Sequence, residues 1–472
     1  MGLNKLGVVE ANKKYINGDF LAVDMVNSCI ENINKYATKN AVLEVFDDAV
    51  KNAKTLDERR EQGEKLGKLA GVVVLIKDNI LLKGKKATAC SKFLENFESI
   101  YTSTVVQKLI DEDAIILGRT NMDEFAMGGD GTTSSYGKTL NALDDERSPG
   151  GSSSGSGVAV ALDMCNFALG TDTGDSVRLP SAYNGVVGIK PTYGLVSRNG
   201  VYAYASSLDQ VGPITKNVLD SAYVLEIIAG NDKLDTTSTI KESFDFTSQI
   251  DEGVKGKVIA LEKTIIDKIK DGENYNEFVK LVEFLSQNGV VIKEIQVENL
   301  LNVPDIYQIV AFSEGSSNLS RYDGLKYTTQ SAQATNAEEI YVKSRSEGFG
   351  KGVKRRIMLG NYILSKGDIY AKTMNLRQYI MDSFASQMQG VDCLVAPMTL
   401  TSAIKFGEKA PEFDGVLGEM ANVLKIPAIT IPYAKDKNNL PLGLQILAKE
   451  EDEEIIYQVA NFIEKNYKGG KK

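Results

Sequence analysis

The segment LAGVVVLIKDNI, residues 69–80, runs three valines, a leucine and an isoleucine straight into Lys77, Asp78 and Asn79. A strand with one wet face alternates apolar and polar residues, whereas a strand covered on both faces reads as a continuous β-branched run. Residues 69–80 therefore predict a central strand in a sheet with helices on either side. The rhythm recurs along the chain. TSTVVQKLIDEDAIILGRTNMDEFAM (102–127) reads as helix, strand and loop, and AVALDMCNFALG (159–170) as a short helix entering a strand. GKVIALEK (256–263), NEFVKLVEFLSQNG (276–289) and VVIKEIQVEN (290–299) repeat strand, helix, strand. Such alternation indicates an α/β fold, a central β-sheet sandwiched between layers of α-helices. Before it, the first sixty residues read as helical. Val26, Cys29, Ile30 and Ile33 share one face, and FDDAVKNAKTLDERREQGEKL (46–66) is a charged amphipathic stretch.

A chain of 472 residues can bury a large core. No repeat and no separating linker divides it, so one large domain is expected. A helical segment over 1–60 packs on a main domain over 61–466, and a disordered tail spans 467–472. The polar stretch 232–254 is expected to be a surface excursion. The net charge of −9 argues against a chain that grips phosphate backbones by itself. Four scattered cysteines, Cys29, Cys90, Cys165 and Cys393, form no CxxC pair and read as buried reduced thiols. No apolar run approaches the ~18 residues of a membrane span. The opening MGLNKLGVVE lacks a signal-peptide core, and Leu6 stands where a myristoylation signal needs Ser or Thr. A cytoplasmic protein is expected.

The sequence contains no histidine. That removes the commonest general base, every Ser-His or Cys-His arrangement and the commonest transition-metal ligand. Acyl-transfer chemistry here must take its base from Lys, Asp, Glu or Tyr. Lys77, at the end of the buried run, is one candidate: burial disfavours the ammonium and can lower a lysine pKa by up to ~3–5 units. Alone, a strand-end lysine more often snorkels to solvent. PGGSSSGSGVAVAL (149–162) resembles a flexible linker, but its serines abut an apolar run and a second small-residue patch follows, GTDTGDSVRLP (170–180). A strand breaking into small residues and then a serine, Ser176, can present a hydroxyl at the carboxyl end of a sheet beside backbone N–H groups. Neither patch is GxxxxGK[ST], so no phosphate loop is supported. GFGKGVK (348–354), with no strand before it, reads as a loop.

Lys77, Ser152 and Ser176, in this order and in these contexts, resemble the amidase signature family, which uses a Ser-cis-Ser-Lys triad and needs no histidine. The resemblance covers nearly the whole chain. It is closest to the branch formed by the glutaminase chains of bacterial tRNA-dependent amidotransferases, carried by LAGVVVLIKDNI, TNMDEFAMGG, PGGSSSGSG, VVGIKPTYGLVSRNGVYAYASSLDQVGPITK, SEGSSNLSRYDGLKY and GVKRRIMLGNYILS. It implies a single amidase-signature domain with a catalytic core over 70–215. It also implies that Ser176 attacks the carboxamide of glutamine, that Ser152, after a cis peptide bond, relays a proton to neutral Lys77, and that N–H groups of Thr173, Gly174, Asp175 and Ser176 hold the oxyanion. Arg356, with Arg355 as its neighbour, matches the family's carboxylate-binding arginine, and Tyr307 a tyrosine of that pocket. The family's aspartate for the α-amino group falls near residue 415, where this chain has Asp414-Gly415. The B and C subunits of the amidotransferase would complete a heterotrimer. The B subunit would bind Glu-tRNA(Gln), use ATP and magnesium, and receive the ammonia. A free-standing amidase with the same triad is the alternative.

One departure sits beside the nucleophile. The family reads Gly-Gly-Ser where this chain has Gly174-Asp175-Ser176. A carboxylate ~5 Å from a developing oxyanion costs about 3 kcal/mol at an effective dielectric near 20, roughly two decades in rate. The expectation is that Asp175 turns away and is paired, with Arg178 as one candidate partner. If it does not, the chain is a poor glutaminase or a scaffold for its partners.

Overall fold

A computed structural model describes residues 2–270, 272 and 275–469. Eleven strands form one mixed sheet. In chain order they are β1 (Val42–Val45), β2 (Val73–Lys77), β3 (Ile115–Thr120), β4 (Phe167–Asp172), β5 (Val187–Lys190), β6 (Gln210–Thr215), β7 (Val258–Glu262), β8 (Val291–Ile295), β9 (Cys393–Pro397), β10 (Ala428–Lys435) and β11 (Pro441–Leu447). Across the sheet the order is β1-β3-β2-β4-β6-β5-β10-β11-β9-β7-β8. Every residue of β2, β3, β4, β5, β6, β9 and β11 is buried. Successive side chains of a strand point to opposite faces, so both faces of the sheet are covered, as the run at 69–80 predicts.

The parallel strands place the site. β2 lies between β3 and β4 and is parallel to both, with Ile76 level with Leu169. The chain leaves β2 for one neighbour and returns on the other side. Beyond the carboxyl ends of strands at such a reversal an open sheet leaves a crevice. Lys77 ends β2 and Asp172 ends β4, so both stand at that crevice.

The N-terminal sixty residues are not all helical. Between helix Ala22–Lys35 and helix Ala49–Glu61, β1 adds an antiparallel edge to the sheet on β3. The stretch 232–254 carries neither helix nor strand. Residues 470–472 of the expected tail lie outside the described residues. Tyr467 does not behave as a tail: its ring packs on Phe284 with centroids 5.1 Å apart.

Candidate active site

Lys77 is fully buried, and its Nζ lies 2.7 Å from Ser152 Oγ, 2.8 Å from Ser153 Oγ and 2.8 Å from Thr171 Oγ1. Burial lowers its pKa to about 7, although the carboxylates of Asp123, Asp172 and Asp209 pull it upward. The amine is thus poised between its two forms near neutral pH, the condition for a base at a physiological operating point. The hydroxyls around it differ in their freedom. Ser153 donates its own proton to Thr171 O at 3.1 Å and so only accepts from Lys77. Ser152 Oγ has Lys77 as its single partner among the described residues. It can therefore pass a proton onward.

The serine stretch is buried rather than a linker. Its cis peptide bond joins Gly151 to Ser152, and helix Ser154–Ala161 begins immediately after. Glycine is needed at 151 because a Cβ there would meet Asp123 Oδ2 at 2.1 Å. The two small-residue patches are tied together directly, since Ser153 N–H donates to Ser176 O at 3.1 Å. Ser176 is 5% exposed. The outer link of the expected relay, from Ser176 Oγ to Ser152 Oγ, is not made as a hydrogen bond among the described residues. In an enzyme without substrate such contacts are commonly long and tighten on binding.

From Thr173 to Ser176 the chain forms a turn between β4 and helix Arg178–Asn184. The four backbone N–H groups of this turn donate to nothing among the described residues, which leaves them available to an anion. Thr173 Oγ1 is held by Asp209 at 2.7 Å. Arg178 fixes the turn from beneath. Its guanidinium is wholly buried and bonds Asp172 at 3.1 Å, Gly174 O at 2.6 Å, Asn422 Oδ1 at 2.7 Å and Gln445 Oε1. This corrects the expectation for Asp175. Arg178 is committed to Asp172, and no ion pair joins it to Asp175 among the described residues. Burial alone would raise the Asp172 pKa, but Arg178, helped by the Val177 N–H and Lys190, holds Asp172 below the usual carboxylate range. The pair's contribution to stability is therefore present at neutral pH and lost as pH falls below the ordinary carboxylate value of ~4. Arg178→Met leaves Asp172 buried and unpaired and should cost about 3–5 kcal/mol, read as a lower urea midpoint at pH 7.

Next to the turn lies a cavity of about 330 Å³, lined among others by Met127, Tyr204, Tyr307, Phe312, Arg356 and Glu419. Tyr307 closes onto this turn: a Cβ on Gly174 would come within 3.0 Å of its ring. Arg355 and Arg356 both reach the cavity, but Arg355 is exposed and Arg356 is half-buried. The Arg356 guanidinium lies over the Phe312 ring and against the Tyr204 phenol. Asp414 does not line the cavity. It starts helix Asp414–Val423 and accepts the Leu400 N–H at 2.7 Å. The acid that does line it is Glu419 of the same helix, which sequence reasoning passed over. A helix puts residues i and i+4 on one face, so a carboxylate expected near 415 could have been sought at 419 as well.

Lys77 ends β2, Ser152 precedes helix Ser154–Ala161 and Ser176 follows β4, so that a buried lysine and two serines stand beside N–H groups that donate to nothing among the described residues, in a chain without histidine. The amidase family model matches residues 24–456, and the chain belongs to that family. It is 42% identical to the A subunit of the glutamyl-tRNA(Gln) amidotransferase of Fusobacterium nucleatum, over 98% of this chain and 97% of that one. It is 45% identical to the protein of the same name from Staphylococcus carnosus, over 89% of this chain and 88% of that one. Among solved structures, the A subunit of the Thermotoga maritima glutamyl-tRNA(Gln) amidotransferase superposes with a TM-score of 0.80 at 33% identity, covering 99% of this chain and 96% of that one. Among the described residues no group of three or more Cys, Asp or Glu could hold a metal ion, and no helix is long and apolar enough to cross a membrane.

Proposed function

We propose that this chain is the glutaminase subunit of a tRNA-dependent amidotransferase. The observation that carries the reading is the fully buried Lys77 amine, 2.7 Å from the hydroxyl of Ser152 in a chain without histidine. The names of its relatives supply the substrate class.

In this reading the α-carboxylate of glutamine sits on Arg356, whose planar fork suits a carboxylate bidentately, and Tyr307 walls the pocket. Ser176 Oγ attacks the side-chain carboxamide carbon. Its proton moves to Ser152, and the Ser152 proton moves to neutral Lys77. The carbonyl oxygen becomes an oxyanion held by the N–H groups of Thr173, Gly174, Asp175 and Ser176. When the C–N bond breaks, the proton returns from Lys77 through Ser152 to the leaving nitrogen, releasing ammonia and a glutamyl ester on Ser176. Water, deprotonated along the same path, cleaves that ester to glutamate and restores the serine. The ammonia passes to a B subunit, which activates the γ-carboxylate of Glu-tRNA(Gln) with ATP and magnesium. A C subunit completes the assembly.

Co-expression with candidate B and C subunits tests the whole reading. The three chains are expected to co-purify, and Glu-tRNA(Gln) with ATP should raise ammonia release from glutamine severalfold. Failure to co-purify, with equal turnover of simple amides by the isolated chain, would instead indicate a free-standing amidase.

A further inference from the structure

The segment 123–127 is gripped from two sides. Asp123 N–H donates to Ser152 O at 3.1 Å, and Asp123 Oδ2 lies 2.1 Å from the place a Cβ on Gly151 would occupy, so this residue is pressed against the start of the serine stretch. Glu124, the next residue, reaches the other way. It is 4% exposed, and the Gly350 N–H donates to both of its carboxylate oxygens, at 3.1 and 3.0 Å. Ser91 Oγ donates to the same carboxylate at 2.5 Å. The Phe125 ring then packs on Phe349 with centroids 5.5 Å apart, and Met127 ends the segment in the wall of the cavity. Phe125 and Ala126 have φ values of 51° and 59°. Residues other than glycine keep that left-handed conformation only where their surroundings over-determine it.

Gly350 is where helix Lys351–Ser365 starts, and its C=O accepts the Lys354 N–H at 3.1 Å. A Cβ on Gly350 would meet Glu124 Oε2 at 2.2 Å, so only glycine admits the carboxylate here. Fewer than two turns further along the same helix, Arg356 lines the cavity. Glu124 forms no ion pair among the described residues, and the nearby cation of Lys354 donates instead to Ser346 O at 2.8 Å. Burying a carboxylate is costly, and here a hydroxyl, a backbone N–H and the positive end of a helix offset the cost. The carboxylate is thereby tied to the start of a helix rather than to a side chain free to swing away.

We propose that Glu124 is a positioning residue that fixes Arg356 relative to the serines. Asp123 holds Ser152, Glu124 holds the helix of Arg356, and the single peptide bond between them fixes the separation. A substrate clamped by its α-carboxylate on Arg356 then presents its carboxamide to Ser176 at one depth. The inference rests on the glutaminase reading, in which Arg356 takes that carboxylate.

4-Aminobutanamide, which is glutamine without its α-carboxylate, provides the comparison, with ammonia release by the full chain as the readout. Glu124→Ala should lower the preference for glutamine over 4-aminobutanamide, taken as the ratio of their kcat/KM values, at least tenfold, chiefly through KM for glutamine. Glu124→Gln keeps an acceptor oxygen for the Gly350 N–H and should restore most of the preference. Gly350→Ala leaves Glu124 in place but drives it off the helix start, so it should lower the ratio in the same way, and it carries the test where Glu124→Ala does not fold. In an Arg356→Ala background, Glu124→Ala should change kcat/KM for glutamine by less than twofold, since residues that act through one another are not additive. A ratio within twofold of the parent in both Glu124→Ala and Gly350→Ala, or an undiminished loss in the Arg356→Ala background, overturns the proposal. A parent that releases ammonia from 4-aminobutanamide but not from glutamine refutes the glutaminase reading itself, and this inference falls with it.

Discussion

Ser176→Ala is expected to cut ammonia release from glutamine by about 10⁴-fold or more, since the nucleophile of a covalent mechanism cannot be replaced by its neighbours. The hydroxyl lies in the turn that follows β4, beside four backbone N–H groups that donate to nothing among the described residues. Those N–H groups survive the substitution, so a residual rate above that of solution is expected to remain. The substitution removes one oxygen from a side chain that is 5% exposed, and thermal stability should change little. Trapping the intermediate gives the second readout. Mass spectrometry of acid-quenched enzyme should find a glutamyl adduct on the peptide containing Ser176 in the parent and none in the variant. An adduct on any other residue would refute the assignment.

Lys77→Met should lower kcat/KM for glutamine by roughly 10²–10⁴-fold, the range of a positioned general base. Its signature is in the pH profile. Burial holds the amine near pH 7 against three nearby carboxylates. Below that pH the amine is charged and cannot take a proton, so parent activity should fall tenfold per unit as pH drops. The Met variant should lose this acid limb and keep only a flat residual rate. Stability moves by the same group with a definite sign. The folded-state pKa lies below the ordinary lysine value of ~10.4, so between about 7 and ~10.4 the unfolded chain binds a proton that the folded chain does not. The parent therefore gains stability from this site as pH rises through that window, and Lys77→Met removes that contribution to the slope. Identical pH–rate profiles for parent and variant would eliminate Lys77 as the base.

The central sheet was legible because β2 has no polar residue before its last position, a pattern that requires cover on both faces. Lys77 was legible for the same reason: a charged residue that ends such a strand is either reaching solvent or being used. The absence of histidine narrowed the chemistry further. β1 was not legible. Val42–Val45 is four residues long and half-buried at each one, too short to display a period against the helices on either side. The partner of Asp175 was misjudged because proximity in sequence favoured Arg178, while the fold delivers Asp172 to the same guanidinium from the end of β4. Glu419 was missed because the acid was sought at one position instead of along one face of a helix.

Arg178 gathers the end of β4, the oxyanion turn, helix Asp414–Val423 and β11 onto one guanidinium. Asp172 stands six residues before Arg178, whereas Asn422 and Gln445 lie 244 and 267 residues beyond it. The turn after β4 therefore acquires its full set of anchors only once two distant segments have come back onto one side chain, and a chain cut before Asn422 should lack two of them.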